Sequence, residues 1–194
     1  MNKIYKTLDE LKLGTGIIDT QVINYVLSVR NSKMNTFFKM ITTLGNVIPM
    51  IILTLIIMLI LFYYNKKSES FFYGINVLGI WLLNEILKQI FRRQRPQGVQ
   101  LITAVDFSFP SSHAMVTMAS VLLLIFFITK FIKYKKLAYL VSVILFIYAL
   151  LIGISRIYLG VHYFSDVIGG WIIAGIWAFI NIRIYKHILS ASKL

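Results

Sequence analysis

Apolar residues in this chain come in long blocks separated by short polar connectors. The runs Val47–Tyr64, Phe71–Phe91, Ala114–Phe131, Leu137–Ile154 and Val167–Tyr185 are almost free of charge. Each approaches the roughly 20 residues that a helix needs to cross a hydrocarbon core. Backbone polar groups in lipid must be satisfied within their own segment, so the runs predict helices rather than loops. The pattern therefore predicts an all-α integral membrane protein, a bundle of about five transmembrane helices. Upstream the period changes. Met34, Phe37, Phe38, Ile41 and Leu44 recur at helical spacing, with Thr36, Lys39 and Thr43 opposite, and Ile18, Val22, Ile23 and Val26 form a weaker stripe before them. Residues 1–44 are thus expected to be an N-terminal amphipathic interfacial helical segment, and 45–194 a transmembrane domain. Met1–Leu13 is polar, without an apolar core ahead of a small-residue cleavage site, so no signal peptide is expected there.

Composition sharpens this picture. The 194 residues are 58% hydrophobic and carry a formal charge of +13. A nucleic-acid partner would need those cations gathered on a water-facing surface. Here they fall in the connectors, where they orient spans in a bilayer, so the expected partners are lipids and not nucleic acid. There is no cysteine, which removes disulfides, thiolate catalysis and cysteine metal sites. Oligomeric state is left open.

Counting spans places three polar fragments on one membrane face. "LKQIFRRQRP" ends the second run, "FPSSHA" opens the third, and "SRIYLGVHYFSD" lies between the fourth and fifth. The opposite connectors carry Lys66, Lys67, Lys130, Lys133, Lys135 and Lys136 against one acid, Glu69, and Arg183, Lys186 and Lys193 follow in the tail. The positive-inside rule makes that face cytoplasmic and turns the polar fragments outward. Lys3, Lys6, Lys12, Arg30, Lys33 and Lys39 on the N-terminal segment pull the other way.

Each fragment carries chemistry suited to an anion. If the second span stays helical until Pro96 stops it, Lys88, Arg92 and Arg95 share one face, and two long cationic side chains can reach one ligand. Ser111 and Ser112 precede a helix, whose unpaired N–H groups form an anion site and whose first turn a serine can cap. His113, beside them, is placed to act as an acid. Arg156 offers a forked donor for phosphate. His162 and Asp166 are one turn apart if a helix joins them, and an aspartate holding one ring nitrogen leaves the other as nucleophile or base.

These residues are similar to the signatures of the type 2 phosphatidic acid phosphatase superfamily of membrane lipid phosphatases, K-x6-R-P, P-S-G-H and S-R-x5-H-x3-D. The chain gives Lys88 to Arg95–Pro96, then Pro110–Ser111–Ser112–His113, then Ser155–Arg156, His162 and Asp166. It departs at Ser112, where the family usually has glycine. The resemblance implies that His162 attacks phosphorus with Asp166 orienting its ring, and that His113 protonates the leaving oxygen. It further implies that Lys88, Arg95 and Arg156, with Ser111 and nearby backbone N–H groups, hold the phosphoryl oxygens; the Ser112 hydroxyl, in place of glycine, is expected to donate to phosphate or to cap the turn. Expected substrates are lipid phosphates: phosphatidylglycerol phosphate, phosphatidic acid or undecaprenyl diphosphate. No cofactor and no metal are expected, since three fixed cations can neutralise the spreading charge and no carboxylate cluster is present. A small anion or lipid transporter would place charges in mid-span rather than at span ends. A non-catalytic lipid-binding protein would have no use for the histidines.

Overall fold

The computed structural model describes residues 16–191, so the Met1–Leu13 segment and Lys193 lie outside the described residues. Those described form helices and no strands: α1 (Ile17–Val29), α2 (Ser32–Thr43), α3 (Val47–Tyr63), α4 (Lys67–Phe91), α5 (Ser112–Phe131), α6 (Lys135–Tyr158) and α7 (Phe164–Ala191). Helices α4 to α7 are long and apolar enough to span a bilayer, and α2 with α3 makes a fifth candidate span, bent by 50°. The expected membrane bundle is present.

Helix α5 is its centre. It packs against α4, α6 and α7, while α3 packs against α4. Ala114, Met115, Met118, Ala119, Leu123 and Phe127 are buried along it. Lipid tails are as apolar as leucine, so in a bilayer such burial stabilises through close packing rather than through escape from water. At Gly153 a Cβ would lie 2.5 Å from the ring of Trp171, so α6 and α7 meet there only because the side chain is missing.

Three helix ends differ from the apolar pattern. Helix α4 starts at Lys67, ahead of the expected Phe71, and takes Glu69 into its first turn. That acid is buried, yet it accepts a 2.6 Å bond from the Tyr185 hydroxyl. A partner lowers the cost of burying it, and an acid suits a helix N-terminus. Helix α6 continues past Ile154 to Tyr158 and so contains Ser155 and Arg156. Arg30 donates to the Tyr158 carbonyl at 2.8 Å, satisfying an acceptor that a helix end would otherwise leave open. Helix α7 starts at Phe164 and carries Arg183 and Lys186 inside it rather than in a tail.

The stripe expected along α2 divides. Met34, Phe37 and Leu44 are exposed, but Phe38 faces the bundle and Thr42 is buried beside it. The reason is polar: the Thr42 hydroxyl accepts a 2.7 Å bond from Arg156 of α6, which draws that face inward. The chain then bends at residues 44–46. A Cβ on Gly45 would meet Ile152 at 2.7 Å and the His113 ring at 2.8 Å, so the bend packs directly on α5 and α6.

Candidate active site

The cationic face expected from Lys88, Arg92 and Arg95 does not form. Helix α4 ends at Phe91, and Arg92 adopts a left-handed conformation (φ 45°, ψ 35°) that closes it through a bond from its N–H to the Lys88 carbonyl. A left-handed cap of this kind ends many helices. Arg92 is exposed and donates to the Gln89 carbonyl, away from the other cations. Pro96 is therefore not what stops the helix. Beyond Arg92 the chain is irregular, and it sends Arg93 and Arg95 to different partners.

Arg95 is the hub. Its guanidinium donates to the carbonyls of Val161 (2.6 Å) and Asp106 (2.7 Å), to the Asp106 carboxylate, and to His162 Nε2 at 2.9 Å. Lys88, in the last turn of α4, reaches the same Asp106 carboxylate. Lys88 and Arg95 are buried, whereas the Asp106 side chain is 48% exposed. Burial alone would raise the Asp106 carboxyl, but Lys88 and Arg95 outweigh it and hold it down to about 2.

A guanidinium has no acceptor, so the 2.9 Å contact makes Nε2 the unprotonated nitrogen of His162 and Nδ1 the protonated one. Nδ1 stands 3.5 Å from Asp166 Oδ2, an ion-pair distance longer than a hydrogen bond. His162 precedes α7, so the single helix expected to join it to Asp166 is absent. The loop is closed instead by Asp166 itself, whose carboxylate accepts from the Tyr163 N–H at 2.8 Å as a residue near a helix start readily does. Burial depresses the imidazole to about 4, with Arg95 acting in the same direction and the Asp166 carboxylate opposing. At neutral pH the ring is uncharged, and its unprotonated Nε2 accepts the Arg95 N–H, a donor that must turn aside before this nitrogen can attack.

The start of α5 supplies the next wall. Ser111 takes the N-cap position, and its N–H donates to the Asp166 carbonyl at 3.2 Å. The expected serine cap is not made. The Ser111 hydroxyl is fully buried and, among the described residues, has no hydrogen-bond partner; Arg156 Nε is in the same condition. Buried polar atoms are nearly always paired, so these two are donors with which the site could hold an oxyanion. Ser112 differs from expectation: its hydroxyl donates to Asn84 Oδ1 at 2.6 Å, which leaves its backbone rather than its side chain for an anion. The amide of Asn84 also donates to the Pro110 carbonyl at 3.2 Å, and Asn84 lies one turn before Lys88, so a buried amide needed a donor there. Ser112 is not among the residues at positive φ, so its Cβ carries no backbone strain. His113 stands at the rim, its Nε2 2.9 Å from Asn46 Oδ1 at the start of α3.

Several site residues were not legible as such. Arg93 donates to Asp166 Oδ1 at 2.6 Å and to Asp19 at 2.7 Å. Ser108 donates to Asp166, and Thr42 holds Arg156. One signal existed for Asp19: it lies at helical spacing from Val22, Ile23 and Val26, and an acid on an apolar stripe requires a partner. Loop residues Asp106 and Ser108 gave none. Among the described residues, no group of three His, Cys, Asp or Glu side chains is placed to hold a metal.

Residues 69–189 match the PAP2 superfamily. The chain belongs to it. Among curated relatives, this PAP2 protein is 39% identical over 94 residues to phosphatidylglycerophosphatase B of Bacillus subtilis (strain 168), covering 46% of this chain and 45% of that one. It is 28% identical over 109 residues to undecaprenyl-diphosphatase of Sulfolobus acidocaldarius, covering 53% and 48%. These matches span about half the length of either relative. In three dimensions, the PAP2 fold here is similar to the transmembrane PAP2 type phosphatidylglycerolphosphate phosphatase of Bacillus subtilis, with TM-score 0.80, 28% identity, and 95% and 96% of the two chains covered. Similarity to Aquifex aeolicus LpxE is lower, with TM-score 0.69, 25% identity, and 84% and 94% covered. The PAP2 signature residues Lys88, Arg95, Ser111, Arg156, His162 and Asp166 converge at one end of the bundle, and His113 flanks them.

Proposed function

We propose that this membrane protein is a lipid phosphate phosphatase, hydrolysing a phosphomonoester or pyrophosphate through a phosphohistidine. The observation that carries the reading is the unprotonated Nε2 of His162, held 2.9 Å from Arg95 at the edge of a cluster containing Lys88 and Arg156. A neutral nucleophile surrounded by fixed cations suits phosphoryl transfer, which needs alignment and charge neutralisation more than covalent help. Nε2 attacks phosphorus and the P–O bond to the lipid breaks. His113 gives a proton to the leaving oxygen, and Lys88, Arg95, Arg156 and the Ser111 hydroxyl hold the phosphoryl oxygens. Water then attacks the phosphohistidine, His113 takes its proton, and inorganic phosphate departs. The similar proteins named for phosphatidylglycerophosphate and undecaprenyl diphosphate make those lipids, with phosphatidic acid, the substrates to test first. Purified protein is expected to release phosphate from at least one of the three in the presence of a chelator. No release from any of them would remove the reading.

We further propose that the site faces outward. The connectors opposite it hold Lys66, Lys67, Lys130, Lys133, Lys135 and Lys136. Arg30, which argued otherwise, is committed to the carbonyls of Tyr158 and Val99. The chain has no cysteine, so single thiols report cleanly. Val105, 94% exposed on the site's connector, should react as Val105→Cys with an impermeant reagent on intact cells, while Lys135→Cys should not. The reverse pattern would invert the topology.

A further inference from the structure

One buried network touches the His162–Asp166 pair from behind. Asp19 of α1 is 2% exposed and lies far in sequence from everything it binds. Its carboxylate accepts from the Ser165 N–H (2.9 Å), from the Ser165 hydroxyl (2.6 Å) and from Arg93 Nη2 (2.7 Å). Arg93 Nη1 donates to Asp166 Oδ1 (2.6 Å) and to the Ser165 hydroxyl (2.7 Å), with the guanidinium 4.3 Å from the centre of the Tyr163 ring. Asp166 therefore meets a cation on one oxygen, while the other faces His162 and accepts from Ser108 and Tyr163. Asp19 also supplies the first turn of α7 with an acceptor from outside the helix, a favourable place for an anion.

We propose that Asp19 and Arg93 are positioning residues: the ion pair between α1 and the α4–α5 connector fixes the Asp166 carboxylate and thereby the orientation and basicity of His162. A purely structural pair would need neither of the two contacts that end on the catalytic loop, Arg93 to Asp166 and Asp19 to the Ser165 N–H. The forked guanidinium sets an angle as well as a charge, because its two nitrogens bind two carboxylates at once. Elsewhere on α1, Ile17, Ile18 and Tyr25 are all more than 60% exposed. The N-terminal segment is on this account part of the catalytic apparatus.

The inference rests on the phosphatase reading and makes an electrostatic prediction of opposite signs. His162 is faced by Asp166 of α7, Arg95 of the connector, Arg156 of α6 and His113 of α5; Asp106 and Lys88 stand behind Arg95, and Arg93 with Asp19 of α1 stands behind Asp166. Arg93→Gln leaves the Asp166 charge unopposed, which favours the imidazolium and moves the acid limb of kcat/KM to higher pH. Asp19→Asn leaves the Arg93 charge unopposed and moves it to lower pH. Each shift should be about 0.5 pH unit or more. The double variant should return the limb to its wild-type position while kcat stays low. Both single variants should lose about tenfold or more in kcat with KM changed less than about threefold, since they misalign a group that substrate does not touch. Arg93→Lys keeps the charge without the fork; it should leave the limb in place and still lower kcat, and it carries the test if the neutral variants do not insert. All variants are compared with wild type on one lipid phosphate, so ionisation of the substrate cancels. Shifts in the same direction, or wild-type kcat in Arg93→Lys, would overturn the proposal. An inactive wild type would instead overturn the phosphatase reading beneath it.

Discussion

Phosphate release is expected to fall by about 10³-fold or more in His162→Ala, with membrane insertion unchanged. The lone pair on Nε2 is held beside the cations by its contact with Arg95, and no cysteine exists to substitute. The scaffold does not depend on the ring. Arg95 keeps its bonds to the carbonyls of Val161 and Asp106, and Asp166 keeps Arg93, Ser108 and Tyr163. Loss of activity would therefore report on chemistry rather than on unfolding. Labelled substrate quenched in base should leave phosphate on wild-type protein and none on the variant. Asp166→Asn should retain more activity, because the imidazole stays and only its orienting charge is lost. Turnover in His162→Ala above a few per cent of wild type would remove this residue as the nucleophile.

The second large effect is expected at Arg95. Arg95→Ala should lower kcat/KM by about 10²–10³-fold, the usual scale for removing a preorganised donor to a developing anion. The residue does more than neutralise charge, since its guanidinium joins the Asp106 backbone, the Val161 carbonyl and His162. Lysine has one charged nitrogen and cannot keep all three, so Arg95→Lys should recover less than about a tenth of the loss. Steady-state assays on one lipid phosphate would measure both. A fall of less than tenfold in Arg95→Ala would mean that Lys88 and Arg156 suffice.

The spans were legible because lipid imposes a length and a composition on any helix that crosses it. That His113, Arg95 and His162 share one end of the bundle follows from counting crossings alone. What the pattern missed lies where polar partners override apolar periodicity. Glu69 lies in the first turn of α4 paired with Tyr185, and Thr42, one turn from Phe38, is buried where its hydroxyl accepts from Arg156. A shared face for Arg92 and Arg95 requires helix up to Pro96. The left-handed residue at Arg92 ended it earlier, a conformation that arginine composition does not announce. Asp106 is a loop acid with no period, so the pattern assigns it no partner. Nothing in the pattern announces that the Ser112 hydroxyl is taken by the buried amide of Asn84, 28 residues earlier in the chain.

Asp106 gives the site a property that its cations alone would not. With a half-exposed carboxylate resting on Lys88 and Arg95, the unloaded site carries its own counter-ion. On the phosphatase reading, a phosphate group entering the site would not meet bare charge; it would displace the Asp106 carboxylate from Lys88 and Arg95, exchanging one anion for another. A lipid can drive that exchange with the additional contacts of its tail. Inorganic phosphate has no tail, and the returning carboxylate competes with it as an intramolecular anion at high effective concentration. On that reading, the aspartate that lies on the phosphate cations before turnover competes for them again after it, against a product that has lost its tail.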